Sequence, residues 1–282
     1  MSEKVDPLRR FDRMAQRAAG EVIGSYSTSF SLAARLLSPT IRRDVRNIYA
    51  MVRVADEIVD GPAAEAGAAP AALLDTYERA VRASLTGRFS ADPVVHAFGL
   101  TARRCRIPEE YVEAFFSSMR ADLTARVHTR ESLASYIYGS AEVVGLMCLA
   151  VFLADHPVPA GERARLEDGA RALGAAFQKI NFLRDLAEDS GELGRSYLPW
   201  LDAETKPAFI AEIRGELERA RAVLPLLPGQ ARVGVAAATE LFAELTELLD
   251  TASVADLRTR RVSVPRRRKV GITLRTMLRS GR

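Results

Sequence analysis

Two stretches of this chain line up oxygen-bearing side chains along one face of a helix. Tyr49, Arg53, Asp56 and Asp60 step by four, three and four, so the two aspartates stand one turn apart with the arginine and tyrosine behind them. Gln178, Asn181, Asp185 and Asp189 step by three, four and four, with Arg184 beside them. The first spacing alone says little, because 36 acidic residues among 282 give about four or five such pairs by chance. A solvated helix face is the plain alternative. Against it, like charges one turn apart repel by ~0.2–0.5 kcal/mol, and carboxylates at a helix carboxyl end oppose its dipole. A bound cation offsets both. The second ridge is more telling, since Asn and Asp are mediocre helix formers whose short side chains compete for backbone hydrogen bonds.

Two carboxylate ridges suit magnesium, which takes oxygen ligands, keeps several waters and shares substrate phosphates; calcium wants a closer protein cage. Arg53, Arg184 and Arg195 lie in or beside the same segments. Arginines inside an acidic site make sense if a polyanion such as diphosphate bridges the metals. Each arginine taken singly is equally well explained by pairing with a neighbouring acid.

The elements that must carry these residues are helices. Ile41, Val45, Ile48, Val52, Ala55 and Val59 recur at helical spacing, and no convincing alternating strand occurs. The pattern predicts helices over 8–23, 41–60, 70–86, 92–104, 108–126, 131–154, 160–189, 206–225, 231–255 and 266–280, with loops over 61–70 and 190–199. Neither loop reads as a linker between domains, so one all-α domain over 1–282 is expected. The stretch from Tyr136 to Ala154 is unusually apolar and carries Gly139, Ala141 and Gly145. Such small residues serve a cavity or close helix packing equally well.

Composition narrows the chemistry further. With 48% hydrophobic residues in 282, the chain can bury a sizeable core and is not generally disordered. Cys105 and Cys148 make no disulfide framework, and His96, His128 and His156 lack metal-ligand spacing. The longest uncharged stretch in the middle of the chain, 143–154, is short of the ~20 apolar residues that span a bilayer, and no secretory pattern opens the chain. A cytoplasmic protein is expected. Residues 258–282 contain ten Lys or Arg and no acid. Such a tail can meet nucleic acid, an anionic membrane or the acidic body of its own protein.

Taken together, the blocks resemble the squalene and phytoene synthases, which join two isoprenoid diphosphates head to head. The resemblance rests on Tyr26-Ser-Thr-Ser-Phe30, Tyr49 to Gly61, Tyr136 to Gly145, Gln178 to Asp189, and Gly194-Arg195-Ser-Tyr197-Leu-Pro199. The Asp-Glu-Ile-Val-Asp-Gly and Gly-Arg-Ser-Tyr-Leu-Pro wordings are most similar to bacterial phytoene synthases.

This resemblance implies an isoprenoid-synthase bundle around a central apolar cavity, its two aspartate motifs facing across the mouth. Asp56, Asp60, Asn181, Asp185 and Asp189 would hold Mg2+, or Mn2+ in its place. Tyr26, Ser27, Thr28, Ser29, Tyr49, Arg53, Gln178, Arg184 and Arg195 would bind the isoprenoid diphosphates. Tyr136 matches a tyrosine placed near the carbocation and the departing proton. Ser140 and Glu142 stand where small apolar residues are frequent in relatives, which bears on the cavity wall. The implied activity joins two geranylgeranyl diphosphates through a cyclopropyl diphosphate to phytoene, releasing diphosphate and needing no nicotinamide cofactor. A squalene or dehydrosqualene synthase would instead use farnesyl diphosphate. Greasy substrates favour the inner face of the membrane as the tail's partner, with Leu274, Met277 and Leu278 interleaved with Arg275 and Arg279. No nucleic acid is expected; the rival from another class is a helical nucleic-acid-binding protein that uses this tail.

Overall fold

The computed structural model describes residues 6–125, 127–187 and 196–280. Helices account for nearly all the regular structure there, and the one bridge among the described residues joins Val127 to Ser196 in parallel. In chain order the helices are α1 (Pro7–Tyr26), α2 (Thr28–Ala34), α3 (Pro39–Val59), α4 (Pro62–Glu65), α5 (Pro70–Thr86), α6 (Pro93–Cys105) and α7 (Glu109–Thr124). Then follow α8 (Arg130–Ile137), a π-helical turn (Tyr138–Glu142), α9 (Val143–Leu153) and α10 (Ala160–Arg184). The carboxyl-terminal part is α11 (Lys206–Val223), α12 (Gly229–Thr251), α13 (Val254–Leu257) and α14 (Arg266–Ser280).

Local chemistry sets several of these ends. Asp6 caps α1 by accepting from the Leu8 amide, and Pro7 supplies a preset φ in the first turn. Asp92 accepts from the amides of Val94 and Val95 at the start of α6. Ser27 ends α1 in an extended conformation, and its hydroxyl caps α2 by accepting from the Phe30 amide at 3.2 Å. Gly61 leaves α3 at φ 130°, a conformation that needs glycine, and turns the chain straight after Asp60.

Two apolar cores flank a space between helices. One joins α3, α5, α6, α7 and α9 around Ile48, Met51, Phe98, Phe115 and Phe116; the other joins α8, α10, α11 and α12 around Ile180, Phe209 and Ile213. Between them runs a cavity of about 1000 Å3 lined from α1, α2, α3, α7, the π turn, α9, α10, α11 and α12. The expected apolar cavity is therefore present.

The structure corrects several expected boundaries. The segment 131–154 is not one regular helix, because the π turn interrupts it. The ridge on α10 ends at Arg184, with Asp185 as its cap at φ −99° and ψ 10°; Asp189 lies outside the described residues. The short helix α4 occupies part of the expected loop 61–70, and α2 was hidden because Ser27 breaks the chain without a Gly or Pro. The segment 130–153 is long and apolar enough to cross a membrane, but 61% of its most apolar window is buried. It packs against α3, α7 and α10 as a core element.

The π turn is gripped from both sides. A Cβ added to Gly139 would lie 2.2 Å from Ser118 Oγ and 2.3 Å from the Ala114 carbonyl oxygen on α7. One added to Gly174 on α10 would lie 2.5 Å from the Ala141 carbonyl oxygen. Backbone oxygens cannot swing aside, so Gly139→Ala is expected to destabilise the protein by about 3 kcal/mol through overpacking. Urea denaturation of the variant measures this directly, and an unchanged midpoint would contradict the close approach.

Candidate active site

The carboxyl ends of α3 and α10 both border the cavity. Asp56 and Asp60 from one, and Gln178, Asn181, Arg184 and Asp185 from the other, line the same space with Tyr26, Ser27, Thr28, Tyr49, Arg53 and Tyr136. The two ridges predicted separately from sequence are thus brought together. Arg195 and Asp189 lie outside the described residues, as does the side chain of Ser29.

Burial first, and then the neighbouring Asp60, push the carboxyl of Asp56 well above its ordinary range. On the other ridge, Asn181 Oδ1 is buried without a hydrogen-bond partner. A strained carboxylate pair and an orphaned amide oxygen are groups that a hard cation would satisfy. Among the described residues no three or more His, Cys, Asp or Glu side chains form a metal-holding cluster. A carboxylate pair and an amide oxygen are donors that suit an ion which keeps water and shares phosphate oxygens, as Mg2+ does.

Cations surround these acids. Arg53 donates to Glu57 and lays its guanidinium 4.3 Å from the centre of the Tyr26 ring, while its Nε is buried without a partner. Arg184 Nε donates to Asp185 at 2.8 Å, and Arg261 Nε reaches the same carboxylate at 3.0 Å. The ion-pair reading of Arg53 and Arg184 is therefore part of what the structure shows, although both also line the cavity.

The tail supplies residues that sequence reasoning missed. Arg261, Ser263, Val264 and Lys269 all line the cavity, and Lys269 Nζ donates to Thr28 Oγ1 at 3.0 Å. Burial, then Arg184 and Arg261, lower the Lys269 pKa. Three cations thus crowd one corner of the mouth, a disposition that a polyanion would relieve. Of the partners open to the tail, the structure shows the protein's own body: beneath the charge run, Val264, Ile272, Thr273 and Thr276 are buried.

On the same lining, the hydroxyls of Tyr136 and Tyr197 both donate to Asp122, at 2.6 and 2.8 Å. All three side chains are buried and line the cavity. Burial, and then Asp122, raise the Tyr136 pKa well above the usual phenol value. Asp122 carried no spacing signal in the sequence, and Tyr197 stood only as part of a motif. Ser140 Oγ faces the same space without a hydrogen-bond partner, whereas Glu142 is engaged by Arg171 Nε at 2.7 Å.

A helical bundle with an apolar interior beneath a mouth of carboxylates and arginines is the architecture of the isoprenoid synthases. A dehydrosqualene synthase solved with a ligand superposes with TM-score 0.79 at 23% identity, over 97% of this chain and 99% of that one. A squalene synthase from Alicyclobacillus acidocaldarius superposes with TM-score 0.71 at 20% identity, over 85% and 94%. At these identities the likeness is one of fold. The squalene/phytoene synthase family profile matches residues 23–268, and the chain belongs to that family. It is 36% identical over 190 residues to a 15-cis-phytoene synthase of Paracoccus sp., covering 64% of this chain and 60% of that protein. Phytoene synthase 3 (chloroplastic) of Zea mays is 30% identical over 295 residues, covering 97% of this chain and 68% of its own. The chain thus spans about three fifths of the Paracoccus relative's length.

Proposed function

We propose that this chain is a divalent-metal-dependent prenyltransferase that condenses two geranylgeranyl diphosphates head to head into phytoene. The observation that carries the reading is the continuity of one cavity from a mouth of acids and cations to an apolar interior. Asn181 and Leu166 both line it and lie fifteen residues apart on α10, which makes the cavity roughly 22 Å long at the helical rise. At the per-bond advance of an extended backbone, a geranylgeranyl chain needs about 18 Å and a farnesyl chain about 13 Å. The length accommodates the longer substrate.

In this reading Asp56, Asp60, Asn181, Asp185 and Asp189 hold Mg2+, which when bound supplies positive charge to the leaving diphosphate. Arg53, Arg184, Arg261 and Lys269 neutralise the diphosphates further, with Tyr26, Ser27, Thr28, Ser29, Tyr49, Gln178 and Arg195 orienting them. Val144, Leu173, Phe177 and Leu241 enclose the prenyl chains and keep water from an allylic cation, which water would capture as an alcohol. The apolar interior leaves the double bond of the second chain as the nearest nucleophile; closing the cyclopropane releases one proton, and the joined cyclopropyl diphosphate then loses its own diphosphate, rearranges in the same enclosure and releases a second proton to give phytoene. Tyr136 stands beside that cation.

Incubation of the purified protein with Mg2+ and each prenyl diphosphate, with and without reduced nicotinamide, tests the reading by product identity. Phytoene from geranylgeranyl diphosphate without reductant is the expected result. Squalene or dehydrosqualene from farnesyl diphosphate would move the substrate assignment, and no head-to-head product from any chain length would overturn the function.

A further inference from the structure

A second group of cations lies away from the mouth. Arg42 and Arg46 stand one turn apart on α3, continuing backwards the ridge that carries Tyr49 and Arg53, and Arg35 ends α2 beside them. None of the three lines the cavity. Half-buried arginines elsewhere in the chain find a carboxylate, as Arg104 does on Asp44, Arg171 on Glu142 and Arg221 on Glu240. The side chains of Arg35, Arg42 and Arg46 have no hydrogen bond or ion pair among the described residues. Asp44, the acid nearest them in sequence, is turned toward α6 and engaged by Thr101 and Arg104. Arg46 packs along Gly20 of α1, its Nη1 3.7 Å from where a Cβ would stand, and its Nε is buried with no partner. Burial first, then Arg42 and Arg35, pull the Arg46 pKa down, with Glu21 the smallest of the influences on it. Like charges one turn apart repel, and they do so here near the amino end of a helix that has no acid in its first turn.

We propose that Arg35, Arg42 and Arg46 form a second anion site, separate from the diphosphate-binding mouth, which takes a phosphate group. Guanidinium forks pair with phosphate oxygens two at a time, and three forks from two elements match an anion with several oxygens better than a single carboxylate. Such an anion offsets the mutual repulsion and satisfies the buried Nε of Arg46 together. Along α3 the site is seven residues from Arg53, about 10 Å at the helical rise, so a diphosphate held at the mouth leaves it open. The inference needs only the cluster and holds whether or not the condensation is the reaction. Free diphosphate in solution and the phosphate headgroup of a lipid present the same oxygens, and the two arms of the test separate them.

The first arm is calorimetric titration of inorganic diphosphate in EDTA, with Arg261→Ala and Lys269→Ala as the parent, whose mouth has lost two cations. Adding Arg42→Gln or Arg46→Met should weaken binding roughly tenfold or more, the scale for lost charge-assisted hydrogen bonds. Met keeps the apolar stem that packs along Gly20 while removing the charge, and Arg42→Gln keeps the test sharp if that variant folds poorly. Arg88→Gln with Arg165→Gln removes two exposed arginines elsewhere and should leave affinity unchanged. The second arm is flotation with phosphatidylcholine vesicles, with and without phosphatidic acid, using the same variants. Cluster-dependent binding of free diphosphate supports the site with a soluble anion as its source. Binding of phosphatidic acid vesicles that falls with Arg42→Gln or Arg46→Met, beyond the fall in the charge-matched control, supports it with a lipid headgroup. If neither arm separates the cluster variants from that control, the arginines are ordinary surface charge and the inference is overturned.

Discussion

Asp56→Ala or Asp185→Ala should reduce turnover by about a thousandfold or more, the scale on which single charge-stabilising groups act at a reacting centre, while the fold survives. Asp56 is half-buried beside Asp60, whose charge opposes its own, and its removal relieves that repulsion. Asp185 sits at the end of α10, where Arg184 and Arg261 hold it, so its loss frees two cations at the mouth without opening a core. Steady-state assay beside circular dichroism checks both parts. Near-full activity in either variant would remove the metal assignment.

The raised Asp56 pKa gives the same site a thermodynamic signature. Its carboxyl binds a proton more tightly in the folded chain than in the unfolded one, so the fold is favoured while that proton is present. Without metal, stability is expected to be greatest below the ordinary carboxylate range and to fall as pH rises from there toward the raised value. Mg2+ binds the ionised form and should oppose that fall at neutral pH. Thermal melts across pH with and without Mg2+ should show this, and Asp56→Asn should flatten the metal-free slope.

Ending the chain at Leu257 is expected to remove activity altogether and lower the melting temperature. Val264 and Ile272 are 6% and 8% exposed, so their loss uncovers core against α12 and α2, and Arg261 and Lys269 leave the mouth. A finer test is the pair Arg261→Ala and Lys269→Ala. Together they should raise KM for the prenyl diphosphate at least about tenfold, as expected for lost contacts to a charged group, with little change in melting temperature. The outer face of α14 remains apolar, with Leu274 55%, Met277 45% and Leu278 75% exposed beside Arg275. We propose that this face meets an anionic membrane. Leu274→Glu with Leu278→Glu should then abolish sedimentation with anionic vesicles and leave catalysis in detergent unchanged.

The helical class and the two polar ridges, Asp56 with Asp60 and Asn181 with Asp185, were legible in the residues, because apolar periodicity and one-turn spacing are local properties of the chain; the central cavity and the facing of the ridges came only from the resemblance of the blocks to the squalene and phytoene synthases. Less legible was anything decided by tertiary placement. Asp122 looks like any surface acid on α7 until two tyrosines from other elements donate to it. Lys269 and Arg261 read as a solvated charge run until α14 folds across α2. The end of α10 at Arg184 escaped the pattern because the polar spacing continues past the last helical residue.

Gly139 and Gly174 clamp the π turn between α7 and α10. A π turn is an α-helix carrying one surplus residue. Wound as an ordinary helix, the same residues would carry everything after Glu142 round by about 100°, taking Val144, Gly145 and Cys148 off the cavity wall. The shape of the interior thus depends on one wide turn in one helix, and a variant in which that turn tightened without losing a residue would present a different lining to the hydrocarbon even if every aspartate at its mouth were identical.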